Sequence, residues 1–490
     1  MIGAPEFPSG VDWVGTARPL ALSELRGKVV VLDFWTAGCI NCLHVIPRLQ
    51  ALAERFRDEL VVIGVHAGKY PGERATDAVR RARDRLGVHH PVVNDRQFRI
   101  WKSYAVSAWP TIALVSPEGA LVGLQPGEFD LEAVARAIEQ VAADSWAAGT
   151  LRTGPMDFGS DPVALDPPHG PLRYPGRLVA DGTTLYVADS GHDRVLELQP
   201  ATGSRPGAPQ YQVVRAWGAG SAGFVDGDQT DARFADPQGL VVAGDTLFVA
   251  DRANHAVRAI ALAGPSSGAV RTVAGTGSIA EGSVSPGRAL ETALRSPWGL
   301  SMFEGALGIC MAGSHQLWRL DLAAGALSPL AGSGRESLDD GPARRATLAQ
   351  PMGLAVGFDG LCFADAESSA VRVVGPGRDA GVHTLVGTGL FDHGDRDGIG
   401  DGVLLQHDED LAVHGGGILV ADTYNHKLKS VDPVSRRCDA LPGEAGSGSA
   451  LLHPSGIWAD DERVLVADTE NHRIVEVDPV TGRITEIAVV

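Results

Sequence analysis

The chain has 490 residues, of which 44% are hydrophobic and 21% are charged. That length exceeds what one hydrophobic core normally supports, and the composition is that of a globular protein, so we expect at least two domains. The formal net charge of −18 opposes binding to phosphate backbones and anionic lipids, so neither nucleic acid nor a membrane is an expected partner. The first residues lack the basic and apolar regions of a leader peptide, and no run approaches the roughly 18 apolar residues of a membrane span, so we expect a cytoplasmic protein.

From Lys28 to about Ala143 the sequence alternates between short apolar runs and helical periodicity, which predicts alternating strands and helices. The predicted strands span residues 29–35, 60–65, 91–93, 111–115 and 121–124, and the predicted helices span residues 42–56, 75–86, 97–104 and 131–142. Strands that alternate with helices indicate an α/β domain with parallel pairing. Residues 146–174, rich in Gly, Pro and Asp and without a sustained period, are predicted to be a linker.

From residue 175 to residue 490 the helical period disappears and one strand phrase recurs. Copies such as Leu247-Phe-Val-Ala-Asp251 are followed by a polar turn and a second alternating strand, and most follow a segment such as Pro237-Gln-Gly-Leu240. The six copies end at residues 189, 251, 311, 365, 422 and 468. Repeats of about 40–50 residues that contain only strands are typical of β-propeller blades. We therefore expect an all-β propeller with six blades.

These copies resemble NHL repeats, which carry the phrase Pro-x-Gly-Leu…Val-Ala-Asp-x-x-Asn-His-Arg-Ile. The resemblance covers about residues 175–490, and it implies a propeller whose loops contact a protein or a small ligand. Turns such as Asp468-Thr-Glu-Asn-His472 look like metal ligands, but their repetition favours a structural role in capping backbone N–H groups. The acidic segment 392–398 misses the frame of an EF-hand loop, so no metal is expected there.

The tetrapeptide Cys39-Ile40-Asn41-Cys42 lies where the first predicted strand turns into the first predicted helix. The helix dipole and the free N–H groups at a helix N-terminus stabilise a thiolate, so Cys39 is the expected nucleophile. Cys42, one turn further on, would then resolve the mixed disulfide. A zinc site would need two more ligands at matching spacing, and the neighbouring sequence does not supply them. No metal and no other cofactor is therefore expected.

The segment Asp33-Phe-Trp-Thr-Ala-Gly-Cys39-Ile-Asn-Cys42, with Pro47 beyond it, resembles the thioredoxin signature. In that family a buried acid at the position of Asp33 shuttles the proton of the resolving cysteine. A cis-proline also lies beside the cysteines, and Pro110 fits that place, where it would present the backbone of Trp109 to an extended substrate. We expect the following site residues: catalytic Cys39, Cys42, Asp33 and Pro110, and substrate-binding Trp35, Trp109, Ile40 and Asn41.

Other details refine this expectation. The central dipeptide Ile40-Asn41 replaces the Gly-Pro that is common in thioredoxins, so the direction of the redox reaction stays open. His44 follows the pair on the same helix, and we expect it to be a solvated helix histidine. Cys310 and Cys362 lie in apolar strand-like runs and are expected to be inert core residues.

The chain is thus predicted to be multidomain, with a thioredoxin-like domain at residues 1–145 and a six-bladed NHL propeller at residues 175–490. Together the two parts resemble proteins that join a thioredoxin-like domain carrying Cys-Ile-Asn-Cys to an NHL propeller. The first functional hypothesis is a thiol–disulfide oxidoreductase with a protein thiol or disulfide client and a reductase or oxidant as partners. The alternative is a non-enzymatic scaffold whose thioredoxin fold is redox-inactive or only senses redox state.

Overall fold

The computed structural model describes residues 2–165, 167–202, 209–358, 360–377, 380–443 and 450–490. The chain divides into two compact units, Met1–Asp166 and Pro167–Val490. No helix in the described part of the chain is long and apolar enough to cross a membrane.

The first unit is an α/β fold around one six-stranded sheet with the order β1-β4-β3-β2-β5-β6. Its strands are β1 Asp12–Val14, β2 Val29–Trp35, β3 Leu60–His66, β4 Val92–Asn94, β5 Thr111–Val115 and β6 Leu121–Pro126. Its helices are α1 Ile40–Arg55, α2 Thr76–Arg85, α3 Arg99–Ser103 and α4 Leu131–Ala147, with short 3-10 turns at Leu22–Leu25 and Pro71–Glu73. The strands β2, β3 and β4 pair in parallel, and the remaining pairs are antiparallel.

Strand β2 lies at the centre of this sheet, and all seven of its side chains are buried. Successive side chains of a strand point to opposite faces, so Val29 and Val31 pack with α1 and α4 while Leu32 and Phe34 pack on the other face. Asp33 shares the face of Val29 and Val31, which is the face that α1 covers. The sequence did not predict β1, because three residues are too few to show a period.

The segment after α4 continues to pack on the first unit. The Lys28 ammonium donates to the carbonyl of Arg152 at 2.9 Å, and the Ala17 N–H donates to the carbonyl of Phe158 at 2.9 Å. Asp161 accepts the Gly15 N–H at 2.9 Å. The first part of the predicted linker is therefore held to the first unit by both side-chain and backbone hydrogen bonds.

The second unit is all-β and propeller-like, and its described residues form six antiparallel meanders of four strands, numbered 1 to 6 in chain order. Meander 1 contains the strands Pro175–Asp181, Thr184–Asp189, Arg194–Pro200 and Gln210–Trp217. Meander 2 contains Pro237–Ala243, Thr246–Asp251, Ala256–Ala261 and Val270–Ala274. Meander 3 contains Pro297–Phe303, Ala306–Met311, Gln316–Asp321 and Ala326–Ala331. Meander 4 contains Pro351–Gly357, Gly360–Asp365, Ala370–Val374 and Gly381–Val386. Meander 5 contains Asp410–His414, Gly417–Asp422, Lys427–Val431 and Arg437–Ala440. Meander 6 contains Pro454–Ala459, Val464–Asp468, Arg473–Val477 and Ile484–Val489. Two-residue strands at Gly287–Arg288, Gly341–Pro342 and Gly398–Ile399 extend meanders 3, 4 and 5.

The first strands of the six meanders contact one another in chain order, and the first strand of meander 6 contacts that of meander 1. Meanders 2 to 5 are separate sheets, whereas meanders 1 and 6 share one eight-stranded sheet. Their outer strands join in parallel through the pairs Gln210–Ala488 and Tyr211–Val489. The repeat pattern did not predict this pairing, which covers two outer strand edges that would otherwise be open to other chains.

The aspartate that ends a Val-Ala-Asp phrase accepts a hydrogen bond from the segment that leads into the first strand of its own meander. Asp251 accepts the N–H of Ala235 at 2.8 Å, and it pairs with the fully buried Arg258 at 2.8 Å. Meander 4 repeats the arrangement with Asp365 and Arg372. In meander 3, Met311 and Trp318 take the two places. In meanders 1 and 6 the aspartate pairs instead with an arginine five residues further on, so the repeat accommodates the buried ion pair in more than one arrangement, or an apolar pair.

The histidine that follows these phrases links neighbouring meanders. The ring Nδ1 of His255 accepts the N–H of Ser296 at 3.0 Å, and that of His426 accepts the N–H of His453 at 3.1 Å. His472 closes the series, because its Nδ1 accepts the N–H of Tyr174 from meander 1 at 3.1 Å. The aspartates of these turns accept backbone N–H groups, as predicted, whereas the asparagines donate to the aspartates. The inter-meander partner of the histidine was not foreseen.

Candidate redox site

The cysteine pair lies at the N-terminus of α1, as predicted. Cys39 is the N-cap residue, and the N–H groups of Cys42 and Leu43 donate to its carbonyl at 3.0 and 3.2 Å. Both cysteines are free thiols, with 7% of Cys39 and 1% of Cys42 exposed. Cys39 is therefore the thiol that a partner reaches first, and Cys42 lies beneath it.

The side chains around Cys42 favour its protonated form. Burial raises the pKa of the Cys42 thiol well above its usual value, and the hydrogen bond with Cys39 raises it further. Asp33 adds to the effect, and this carboxyl is itself 1% exposed. Burial raises the pKa of Asp33 to about 8, so most of it is a neutral carboxylic acid at pH 7. The structure thus brings together the acid and the second cysteine that the sequence resemblance had paired.

The predicted proline follows a tryptophan that packs beside the thiols. The Trp109–Pro110 peptide bond is cis, as expected, and the Trp109 indole N–H donates to the carbonyl of Ala67 at 2.9 Å. Trp109 also packs against the apolar cluster that contains Cys39 and Cys42, and its ring lies 4.5 Å from that of Trp101.

The four predicted substrate contacts fall into two groups. Asn41 and Trp109 are partly exposed at the rim, whereas Trp35 and Ile40 are each 1% exposed. Trp35 packs in the same cluster as the cysteines and lies 4.9 Å from the His66 ring. Of the four residues, only Asn41 and Trp109 are therefore partly open to solvent, so substrate contact remains a prediction for these two.

One further residue beside the cysteines carries no signal in the sequence. Glu73 is 3% exposed, and its carboxylate accepts the Thr36 hydroxyl and the N–H groups of Ala37 and Tyr70, the last two at 2.9 Å. Thr36 and Ala37 belong to the loop that leads into Cys39. No local motif signals this contact, because 36 residues separate Glu73 from Ala37.

The expectation for His44 is wrong. Its side chain is 2% exposed, and its Nδ1 lies 2.9 Å from a carboxylate oxygen of Glu128. The helical pattern places His44 on α1 correctly, but it contains no information about the loop before α4 that covers this face. Cys310 and Cys362 are fully buried, in agreement with their predicted core positions.

The second unit has a central cavity of about 270 Å³ lined by the first strands of all six meanders. Most of the lining residues are apolar in type, but Arg177 and Asp410 form a buried ion pair there, with Nε and Oδ2 3.2 Å apart. They stand where other meanders have the glycine of Pro-x-Gly, such as Gly239. Among the described residues, no group of three or more His, Cys, Asp or Glu side chains is arranged to hold a metal ion.

Comparison with known families identifies the first unit. Residues 27–121 match the family model described as thioredoxin-like, and this range contains Asp33, both cysteines of the pair and Pro110. The first unit is a thioredoxin-like domain. The thioredoxin-like domain is also similar to thiol-disulfide oxidoreductase ResA of Bacillus subtilis, with 32% identity over 22% of this chain and 59% of that protein.

The chain also has longer homologues that extend through the second unit. It is 34% identical to NHL repeat-containing protein 2 of Bos taurus, over 91% of this chain and 64% of that protein. It is 35% identical to protein SUPPRESSOR OF QUENCHING 1, chloroplastic, of Arabidopsis thaliana, over 91% of this chain and 43% of that protein. The chain therefore spans less than two thirds of the length of these two relatives.

Proposed function

We propose that the thioredoxin-like domain is a thiol–disulfide oxidoreductase. The observation that carries this proposal is the stacking of three groups: Cys39 at a helix N-terminus, Cys42 hydrogen-bonded beneath it, and the buried acid Asp33 behind Cys42. The similarity to a protein named thiol-disulfide oxidoreductase supports the same reaction class.

In the reducing direction, the Cys39 thiolate attacks one sulfur of a client disulfide, and the client's other sulfur leaves as a thiolate. Asp33 in its ionised form then takes the proton of Cys42, and the Cys42 thiolate attacks the sulfur of Cys39. The second client sulfur leaves and is protonated, so the client gains two electrons and the cysteine pair becomes a disulfide. A carboxyl whose pKa is about 8 can transfer this proton in either direction near neutral pH.

We further propose that the six meanders are the six blades of an NHL-type propeller and that this propeller recruits the client or a small ligand. The ring of first-strand contacts and the histidine links between meanders support six blades. The Arg177–Asp410 pair supports binding at the cavity, because burying two charges is costly and such groups are expected mainly at functional sites. A cytoplasmic location is part of the same proposal.

A trapping experiment tests the proposed reaction on the full chain. Maleimide labelling across a series of glutathione ratios should show Cys39 and Cys42 titrating together as one two-electron couple. Cys42→Ser should accumulate mixed disulfides at Cys39, because the resolving thiolate is missing, whereas Cys39→Ser should accumulate none. If Cys39 stays unlabelled in the folded protein at every ratio, the scaffold hypothesis replaces the oxidoreductase.

A further inference from the structure

Glu73 is a buried carboxylate that contacts the cysteine loop, and neither the thioredoxin signature nor the proposed reaction accounts for it. One oxygen accepts the Thr36 hydroxyl and the Tyr70 N–H, and the other accepts the Ala37 N–H. An ionised acceptor makes hydrogen bonds that are about twice as strong as those of a neutral one. The carboxylate therefore holds the chain two and three residues before Cys39.

The charge on Glu73 persists although the group is buried. Burial by itself would raise its pKa, but the hydrogen bonds and the nearby His66 ring lower the pKa to about 2. The Nε2 atom of His66 lies 3.5 Å from Oε2 of Glu73. At neutral pH a carboxylate thus accepts the hydrogen bonds from the loop that leads to the nucleophile.

The segment that carries Glu73 also connects the two sides of the redox site. The Lys69 N–H donates to the Thr36 hydroxyl oxygen at 3.1 Å, and the Ala67 N–H donates to the carbonyl of Trp35 at 3.0 Å. On the other side, the carbonyl of Ala67 accepts the indole N–H of Trp109, which precedes the cis-proline. Residues 66–73 therefore bridge the nucleophile loop and the proline loop, and Glu73 holds the first of these contacts.

We propose that Glu73 is a positioning residue for the cysteine pair, one that keeps Cys39 within reach of Cys42 and keeps the pair reducing. This inference rests on the proposed function. A held loop raises the effective concentration of one thiol at the other and so stabilises the intramolecular disulfide. This effect shifts the equilibrium of the pair towards the disulfide.

The test compares the redox equilibria of full-length variants with glutathione. Glu73→Gln should lower the equilibrium constant for disulfide formation about tenfold, which corresponds to a reduction potential about 30 mV less negative. Glu6→Gln is the matched control, because Glu6 also accepts backbone N–H groups, those of Leu22 and Ser23, but away from the cysteines. It should leave the equilibrium unchanged.

A second variant protects the test against a folding failure. Thr36→Val removes the hydroxyl that bridges Glu73 and Lys69 but leaves the carboxylate in place, so its equilibrium constant should fall by about threefold. Amide hydrogen exchange at Ala37 should accelerate in Glu73→Gln, because this N–H loses its charged acceptor. If the wild-type pair titrates and neither variant shifts its equilibrium, the positioning role is wrong while the proposed function stands. If the wild-type pair does not titrate at all, both fail.

Discussion

Asp33 offers a quantitative test of the redox site through the pH dependence of folding. Its pKa is 3.8 in an exposed reference state and about 8 in the folded protein, a difference of about 4 units. Each unit corresponds to about 1.36 kcal/mol. Between these pKa values the folded state binds one proton more than the unfolded state, so this group makes the free energy of unfolding fall as pH rises. The stabilising effect of the protonated form is complete below pH 3.8 and is lost as pH rises towards 8.

Asp33→Asn replaces this carboxyl with a group of the same shape that does not titrate. From pH 5 to pH 7 the free energy of unfolding of the wild type should fall by about 2.7 kcal/mol relative to that of the variant, because each of the two pH units contributes about 1.36 kcal/mol. At pH 8 and above, the free energy of unfolding of the variant should exceed that of the wild type by up to about 6 kcal/mol, which is the cost of ionising Asp33 in the folded state.

Urea unfolding of the reduced full chain at pH 5, 6 and 7 measures this difference, with pulse alkylation of the peptide that contains Cys39 and Cys42 reporting on the thioredoxin-like domain. Contributions from other titrating groups cancel between the two proteins. A difference between variant and wild type that stays constant from pH 5 to pH 7 would refute a buried neutral Asp33. The same variant should resolve mixed disulfides about 100-fold more slowly, because Cys42 loses its proton acceptor.

Two further predictions concern the propeller-like unit. Arg258→Met leaves the carboxylate of Asp251 buried without its cation and should lower the free energy of unfolding of this unit by about 3–5 kcal/mol, measured by urea unfolding followed by circular dichroism. The double variant Asp251→Met, Arg258→Trp copies the apolar pair of meander 3 and should recover most of that loss; equal losses in both variants would contradict the ion-pair argument. His426→Ala removes the acceptor of the His453 N–H and should cost about 1–3 kcal/mol, with faster amide exchange at His453. Unchanged exchange there would show that the link does not hold the meanders together.

Much of the fold could be predicted because short-range sequence patterns specify its strands and helices. Strand β2 is a continuous apolar run, and α1 follows it with helical spacing, so the turn that carries the cysteines has a definite place. The Val-Ala-Asp phrases recur often enough to show strands without helices. The position of Pro110 ahead of an apolar strand was also visible, and the cis bond is present there.

The features that the sequence by itself determined are therefore local: the strand and helix periods, the repeated phrase, and the residues Asp33, Cys39 and Cys42 in one short segment. Only the tertiary structure decided which distant groups complete them. Glu73 reaches the cysteine loop from beyond β3, and Glu128 covers His44 from 84 residues away. The final strand also pairs with an outer strand of meander 1, although that partner lies more than 270 residues earlier. The physical reason is that such contacts depend on how folded elements pack, and a hydrogen bond between distant residues leaves no period or spacing in the chain.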